Sequence, residues 1–267
     1  MKQHSLLFLL LCVLLAFSCG GGSGAQQQEE NATADSTATT ATKYKLTPFT
    51  PSTNYANAAL ESMEYKDAQF KFGIGGDSYQ LGVQTPDAPQ KMCANSAEGQ
   101  HIHLIIDKEP YAAKYEAAFD YEIPDGEHYL LAFLSRSYHE SIKTDKAHIA
   151  KKVTVAGNNF TDITDIEGPM LFYSRPKGAY KGKAETEKVM LDFYLVNAQI
   201  GSNYNVLAEI NGEEHLIDIW QPYYIEGLPM GENTIKLSLL DGNGNLVNTP
   251  NNPVERKFTL EELTLEK

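Results

Sequence analysis

Two histidines one residue apart, His101 and His103, are the sharpest chemical signal in the chain. On a β-strand, residues two apart share a face. The pair would then present two imidazoles together, with Ile102, Leu104 and Ile106 on the other face. Neutral imidazole is a ligand for zinc and copper, and a third nitrogen would complete a site. His139 is the candidate, so His101, His103 and His139 form a candidate copper or zinc set. Met92 and Cys93 add soft sulfur to the same search. The plainer alternative is that the histidines are half-buried polar residues hydrogen-bonded within a sheet. Met92-Cys93 would then be a small apolar plug holding a loop to the core.

A second constellation is Ser135-Arg136-Ser137-Tyr138-His139-Glu140-Ser141, with a guanidinium, hydroxyls, an aromatic ring and an imidazole in seven residues. A planar guanidinium can hold two oxygens of a carboxylate or phosphate, and Tyr138 could lie flat against a sugar or peptide. Arg136, Ser137, Tyr138, His139 and Glu140 are therefore a candidate ligand-binding set. The alternative is a polar hairpin loop that satisfies its own backbone. Tyr173-Ser174-Arg175-Pro176-Lys177, with Lys181 and Lys183, reads as a solvated basic loop that could meet an anionic partner. Trp220-Gln221-Pro222-Tyr223-Tyr224 reads as core rather than as a carbohydrate platform. The chain has no Gly-x-Ser-x-Gly elbow, phosphate-cradling glycine loop, His-Glu-x-x-His or Cys-x-x-Cys. A non-catalytic protein is expected.

The elements that must position these residues read as strands. Short runs rich in Val, Ile, Tyr, Phe and Thr recur at roughly ten-residue intervals between turn residues, a pattern that predicts a β-sandwich. Asn211-Gly212 is a hairpin signal, and Asp107-Lys108 occupies the matching place upstream. Sliding the chain by 105 residues lays Pro124-Asp125-Gly126-Glu127 on Pro229-Met230-Gly231-Glu232, and His128–Val155 on Asn233–Leu260 without a gap. Two homologous immunoglobulin-like sandwich domains are predicted, at 56–157 and 165–264. In that topology the B–C and F–G loops share one end. The long segment before His101 would be the B–C loop and Ser135–Ala147 the F–G loop, bringing Cys93, His101, His139 and His148 toward one rim. Five of the seven histidines fall in the first repeat, which is where chemistry is expected.

The amino terminus reads differently. Met1-Lys2-Gln3-His4 is cationic, Leu6–Phe17 is apolar, and Ser18-Cys19 follows. About twelve apolar residues are too few to span a bilayer but suit a secretory signal. Residues 1–18 are read as a lipoprotein signal peptide and Cys19 as the lipid-bearing residue; an ordinary cleaved signal is the alternative. Residues 19–43, rich in Gly, Gln, Ala and Thr, read as a disordered tether. Gly20 after the cysteine favours the outer membrane, so a lipid-anchored protein on its periplasmic or cell-surface face is expected. No apolar run of membrane length recurs, and the body is expected to be soluble. A net charge of −13 argues against nucleic acid, whose phosphates want a basic face. With Cys12 in the signal and Cys19 taken by lipid, Cys93 has no partner for an intrachain disulfide.

Gly99-Gln100-His101-Ile102-His103, Glu109-Pro110-Tyr111 and Leu131–Ser141 resemble a family of two-repeat bacterial envelope lipoproteins. The likeness continues through Phe172–Gly178 and Trp220–Pro229. Some members are loosely labelled phosphopeptide-binding proteins. The resemblance implies a fold and a compartment, and no activity. The sequence reading is thus an all-β, membrane-anchored envelope module that binds a peptide, glycan or protein at the rim of the first repeat. Copper or zinc binding at His101, His103 and His139 is the alternative, and a structural spacer a third.

Overall fold

The computed structural model describes residues 43–263. The segments read as signal peptide, lipid-bearing Cys19 and tether lie, but for Lys43, outside the described residues. No helix among those described is long and apolar enough to cross a membrane, and the one α-helix is a single turn at Lys183–Thr186.

Alternation decides the strands. In Val254–Glu261, Val254, Arg256, Phe258 and Leu260 are buried while Glu255 and Lys257 are exposed, so one face meets a core and the other water. His101–Ile106 is instead buried at every position. Such a strand must be covered on both faces, and the architecture shows by what.

The first sandwich pairs two sheets. One has the order β2 (Ala59–Lys66), β3 (Gln69–Gly75), β6 (Ala118–Asp120). The other runs β5 (Ala112–Lys114), β4 (His101–Ile106), β7 (Gly126–Ser135), β8 (His148–Ala156), β9 (Asn159–Thr164). The second sandwich sets β1 (Lys45–Pro48), β15 (Tyr223–Glu226), β12 (Lys188–Val196) and β10 (Met170–Arg175) against a five-stranded sheet. That sheet runs β11 (Gly178–Lys181), β17 (Val254–Glu261), β16 (Gly231–Asp241), β13 (Tyr204–Ile210), β14 (Glu213–Ile217). Both are immunoglobulin-like: an A-B-E sheet faces a C′-C-F-G sheet. In the second, β11 runs parallel to β17.

Two features depart from tandem independent beads. Strand β1 precedes the whole first sandwich yet pairs antiparallel with β15 of the second, Leu46 opposite Ile225. Strand β9, which falls between the two domain ranges read from the sequence, extends the first sandwich by pairing with β8. Each sandwich has its own core, around Phe70, Leu104 and Leu130 in the first and Phe193, Ile235 and Leu237 in the second. A third apolar cluster lies between them: Ile105, Leu131 and Phe133 of the first pack on Met170, Phe172 and Tyr194 of the second. The outer face of the β5-β4-β7-β8-β9 sheet is thus covered by the β10–β12 face of the second sandwich. Both sandwiches fall within one compact unit.

Candidate functional site

Strand β4 lies between β5 and β7, with His103 opposite Ala113 on one side and Phe133 on the other. Ile102, Leu104 and Ile106 enter the first core. The two-residue period therefore turns His101 and His103 toward the junction, where both are fully buried. His139 reaches them from the loop after β7. One ring nitrogen from each of the three lies within 4.8 Å of the others.

His101 is the hub. Its Nδ1 is 2.8 Å from the carbonyl oxygen of Gly99, which can only accept, so Nδ1 carries the proton and Nε2 presents a lone pair. Gly99 is held there by its backbone: φ is +90°, and a Cβ would meet the backbone of Gly82 and Val83 at 2.7 Å. Nε2 of His101 lies 2.9 Å from Nε2 of His103 and 2.9 Å from Nδ1 of His139. His103 is fixed on its far side by Ser174 Oγ of the second sandwich, 3.3 Å from Nδ1. Tyr111 stacks on the His103 ring, centroids 3.6 Å apart at 7°, and its hydroxyl is 3.3 Å from His139 Nδ1.

All three imidazoles are held neutral. Burial pushes His101 down to about 4, with Arg175 and Lys177 adding to the effect and the Gly99 hydrogen bond opposing it. His103 and His139 are driven well below the ordinary histidine range, again chiefly by burial. Neutral imidazole is the form that coordinates metals.

The cations come from the second sandwich. Arg175 is buried, donating through Nε and Nη2 to Tyr180 Oη at 3.2 and 2.7 Å. Its Nη1 has no partner. Lys177 Nζ lies 4.0 Å from the Tyr111 ring centroid and 2.8 Å from the Tyr111 carbonyl oxygen. The segment read as a solvated basic loop thus turns Arg175 and Lys177 inward; Lys181 and Lys183 are the exposed members.

The remaining residues of the loop read as a ligand rim lie inside the protein. Arg136 donates through Nε and Nη2 to the Thr53 carbonyl, at 3.0 and 2.6 Å, and faces Glu140 at 3.5 Å. Ser137 is fully buried and exchanges hydrogen bonds with Thr85. Tyr138 is fully buried, stacked near Phe49 with Lys91 over its ring, and donates to Asp87. Glu140 is 8% exposed. These groups are occupied by the protein itself, so no open surface of Arg136 or Tyr138 faces a peptide or sugar. Only His139 of this set joins the cluster.

His128 sits elsewhere, bonded to Asp107 at 2.7 Å, and His148 lies tilted against Tyr194. Cys93 packs with Phe49, Ala88 and Tyr138, apart from the three histidines. The sequence did not place Gly99, Tyr111, Ser174, Arg175 or Lys177 beside the histidines; Ser174, Arg175 and Lys177 were read as part of a separate basic loop. Of these, only Gly99 and Tyr111 are close enough in sequence to His101 to have been found by local inspection.

No protein-family model matches the chain, and no curated protein matches it. Among solved structures the chain is similar to the fibronectin(III)-like modules of Clostridium thermocellum CbhA. Identity there is 12% over 84% of this chain and 97% of that one, with a TM-score of 0.29. A Ca2+-stabilized adhesin that helps an Antarctic bacterium reach out and bind ice shares 11% identity over 78% of this chain and 50% of that one, at a TM-score of 0.25. SGBP-B of the Bacteroides ovatus mixed-linkage glucan utilization locus, solved with a mixed-linkage heptasaccharide, shares 11% over 82% and 70%, at 0.20. At such identities and TM-scores these likenesses bear on neither ligand nor activity.

Proposed function

We propose that this chain is a non-catalytic binding module whose ligand is a copper or zinc ion held by His101, His103 and His139. The observation that supports it is a proton count. An sp² ring nitrogen has one lone pair, yet Nε2 of His101 faces two nitrogens at 2.9 Å. If both donate, they share that lone pair, and Tyr111 Oη loses His139 Nδ1 as an acceptor. If either is bare, two lone pairs face each other at hydrogen-bond distance. A cation among the three nitrogens removes the conflict. With metal–nitrogen bonds of about 2.0–2.1 Å, ligands on a tetrahedral ion stand about 3.3 Å apart, so the two 2.9 Å pairs would open slightly and the nitrogens of His103 and His139, which lie within 4.8 Å of each other, would close onto the ion. Gly99 and Ser174 would act as the outer groups that fix tautomer and ring orientation.

The imidazole set suits both zinc and copper. The apolar run Leu6–Phe17 followed by Cys19 supports a cell-envelope location for this module, tethered through Cys19. Labelling with radioactive palmitate should mark the wild-type chain and spare Cys19→Ala.

The direct test is a calorimetric titration of the purified protein with Zn²⁺ and Cu²⁺, beside His101→Gln. One tight equivalent, lost in the variant, is expected. Absence of binding, or equal binding by both proteins, would leave the histidines as a hydrogen-bonded packing element of the junction.

A further inference from the structure

Resting on that three-histidine reading, we infer that the site selects Cu⁺ over Cu²⁺ and Zn²⁺, and that the cations Arg175 and Lys177 set the preference. Imidazole suits zinc and copper alike, so donor type does not choose among these ions. Coordination number and charge do.

Zinc takes four ligands, with a water in the fourth place where the protein supplies three. Cu²⁺ prefers a four-cornered tetragonal set. Cu⁺, with a filled d shell, is stable with three. No carboxylate or thiol among the described residues joins the three nitrogens. Glu140, next to His139 in the chain, turns its carboxylate to Arg136, and Cys93 packs with Phe49 and Tyr138. The Tyr111 ring stacks on His103 with centroids 3.6 Å apart at 7°. That stacking keeps its hydroxyl out of the His103 ring plane, in which a metal on His103 lies. With His101 and His103 fully buried, a dication would have to draw its fourth ligand in from solvent past His139.

Charge acts in the same direction. Arg175 is buried and follows Ser174, whose hydroxyl meets His103. Lys177 Nζ lies 4.0 Å from the centroid of the Tyr111 ring, so one aromatic ring separates an ammonium from His103. The side-chain hydrogen bonds of both cations go to neutral oxygens, the Tyr180 hydroxyl and the Tyr111 carbonyl. The field of both reaches His101 and His139. Coulomb repulsion grows in proportion to the charge brought in. A second positive charge on the metal therefore costs as much again as the first, and no anionic ligand offsets it. Neutral donors backed by cations hold the singly charged ion best.

The preference is read as the reduction potential of bound copper. For Cu²⁺ + e⁻ → Cu⁺, each tenfold gain in the relative affinity for Cu⁺ raises the potential by about 59 mV. The full-length protein with one equivalent of copper is titrated at pH 7 with dithionite and ferricyanide, following the paramagnetic signal of Cu²⁺. One reference is copper in imidazole buffer, which offers the same donor without the protein's charges. The other is Lys177→Met, which keeps an apolar stem and loses the ammonium. Wild type should favour Cu⁺ about 100-fold more than the imidazole reference does, and Lys177→Met should give up about tenfold of that. One equivalent of Zn²⁺ should leave Cu⁺ in place on the wild-type protein. A wild-type potential at or below the reference, or Cu⁺ displaced by Zn²⁺, overturns the selection and leaves the three histidines standing. A potential unchanged in a folded Lys177→Met overturns the role given to the cations. Should that variant not fold, the wild-type potential and the zinc competition decide. Copper bound in neither oxidation state overturns this inference and the three-histidine reading together.

Discussion

His139 stands in the first sandwich where Gly244 stands in the second. The N–H of His139 donates to the Arg136 carbonyl at 2.8 Å, as that of Gly244 donates to Asp241 at 3.0 Å. Ile142 to Leu134 and Val247 to Leu239 close the two loops with matching bonds of 3.0 Å. The backbone is left-handed at both places, φ +68° and +83°. Glycine accepts that conformation freely, and a residue with a Cβ does not. The first sandwich therefore keeps a strained histidine at a turn the second makes with glycine. Such strain tends to persist where the side chain has work that packing alone does not require.

A pair of substitutions separates the strain from the side chain. His139→Ala and His139→Gly both remove the imidazole, but only glycine relieves the left-handed backbone. The glycine variant should be more stable than the alanine variant by about 1 kcal/mol, read from urea midpoints, and neither should bind metal at the cluster. Equal midpoints would show that the turn carries no strain at this residue.

The metal-free protein should weaken in mild acid. His101 is held near 4 in the folded protein, chiefly by burial, against an ordinary value of 6.5. The unfolded chain therefore binds a proton that the folded one refuses. The stability contributed by the neutral ring is complete above about pH 6.5 and is lost as pH falls toward about 4. A difference of that size corresponds to about 3 kcal/mol. His103 and His139 act in the same direction. Urea unfolding from pH 7.5 to 4.5 should show a steeper loss in wild type than in a His101→Gln/His103→Gln variant. Parallel pH profiles would contradict the account.

The strands and the shared face of His101 and His103 were legible because both follow from local periodicity. Short runs of strand-forming residues between turn residues give β4, β7 and β8, and a two-residue spacing puts both imidazoles on one side. What lies opposite that side was not legible. Ser174, Arg175 and Lys177 arrive from a strand some seventy residues later, through a sandwich-on-sandwich contact that no local pattern encodes. Strand β1 is only Lys45–Pro48, and its partner β15 carries no signal of a missing neighbour. Arg136, Tyr138 and Glu140 have the composition of an exposed loop. They are buried because Thr53, Phe49 and the segment around Thr85 and Asp87 close over them. Polarity in a sequence does not say whether water or the protein itself will satisfy it.

Phe49 ties the amino-terminal segment to both sandwiches. Its ring lies 4.4 Å from that of Tyr224 in the second and 6.0 Å from that of Tyr138 in the first. Its N–H donates to the Pro222 carbonyl at 2.9 Å, continuing the β1–β15 ladder. Truncation to alanine in a buried site of this kind costs about 3–5 kcal/mol, and Phe49→Leu should cost less than about 1.5 kcal/mol. The loss should appear as a lower urea midpoint for the single unfolding transition. A Phe49→Ala protein as stable as Phe49→Leu would mean that the aromatic bridge adds nothing to the junction.

Asp192 holds the loop that carries His139. It is fully buried on β12 of the second sandwich, where it accepts the Ser141 backbone N–H at 2.9 Å and pairs with Lys143 Nζ. Removing one member of a buried ion pair leaves the other charge uncompensated, at a cost of about 3–5 kcal/mol. Asp192→Ala should be destabilised on that scale, and Asp192→Asn by less, because the amide oxygen still accepts from Ser141. Ser141 and Lys143 lie two and four residues after His139 in the loop, so Asp192→Ala should also weaken metal binding without touching a ligand. Measured at a urea concentration where the variant remains folded, its affinity should fall while its stoichiometry stays at one. Unchanged affinity in a destabilised Asp192→Ala would mean that the loop is positioned by its own hairpin hydrogen bonds, and that the second sandwich adds stability without adding aim.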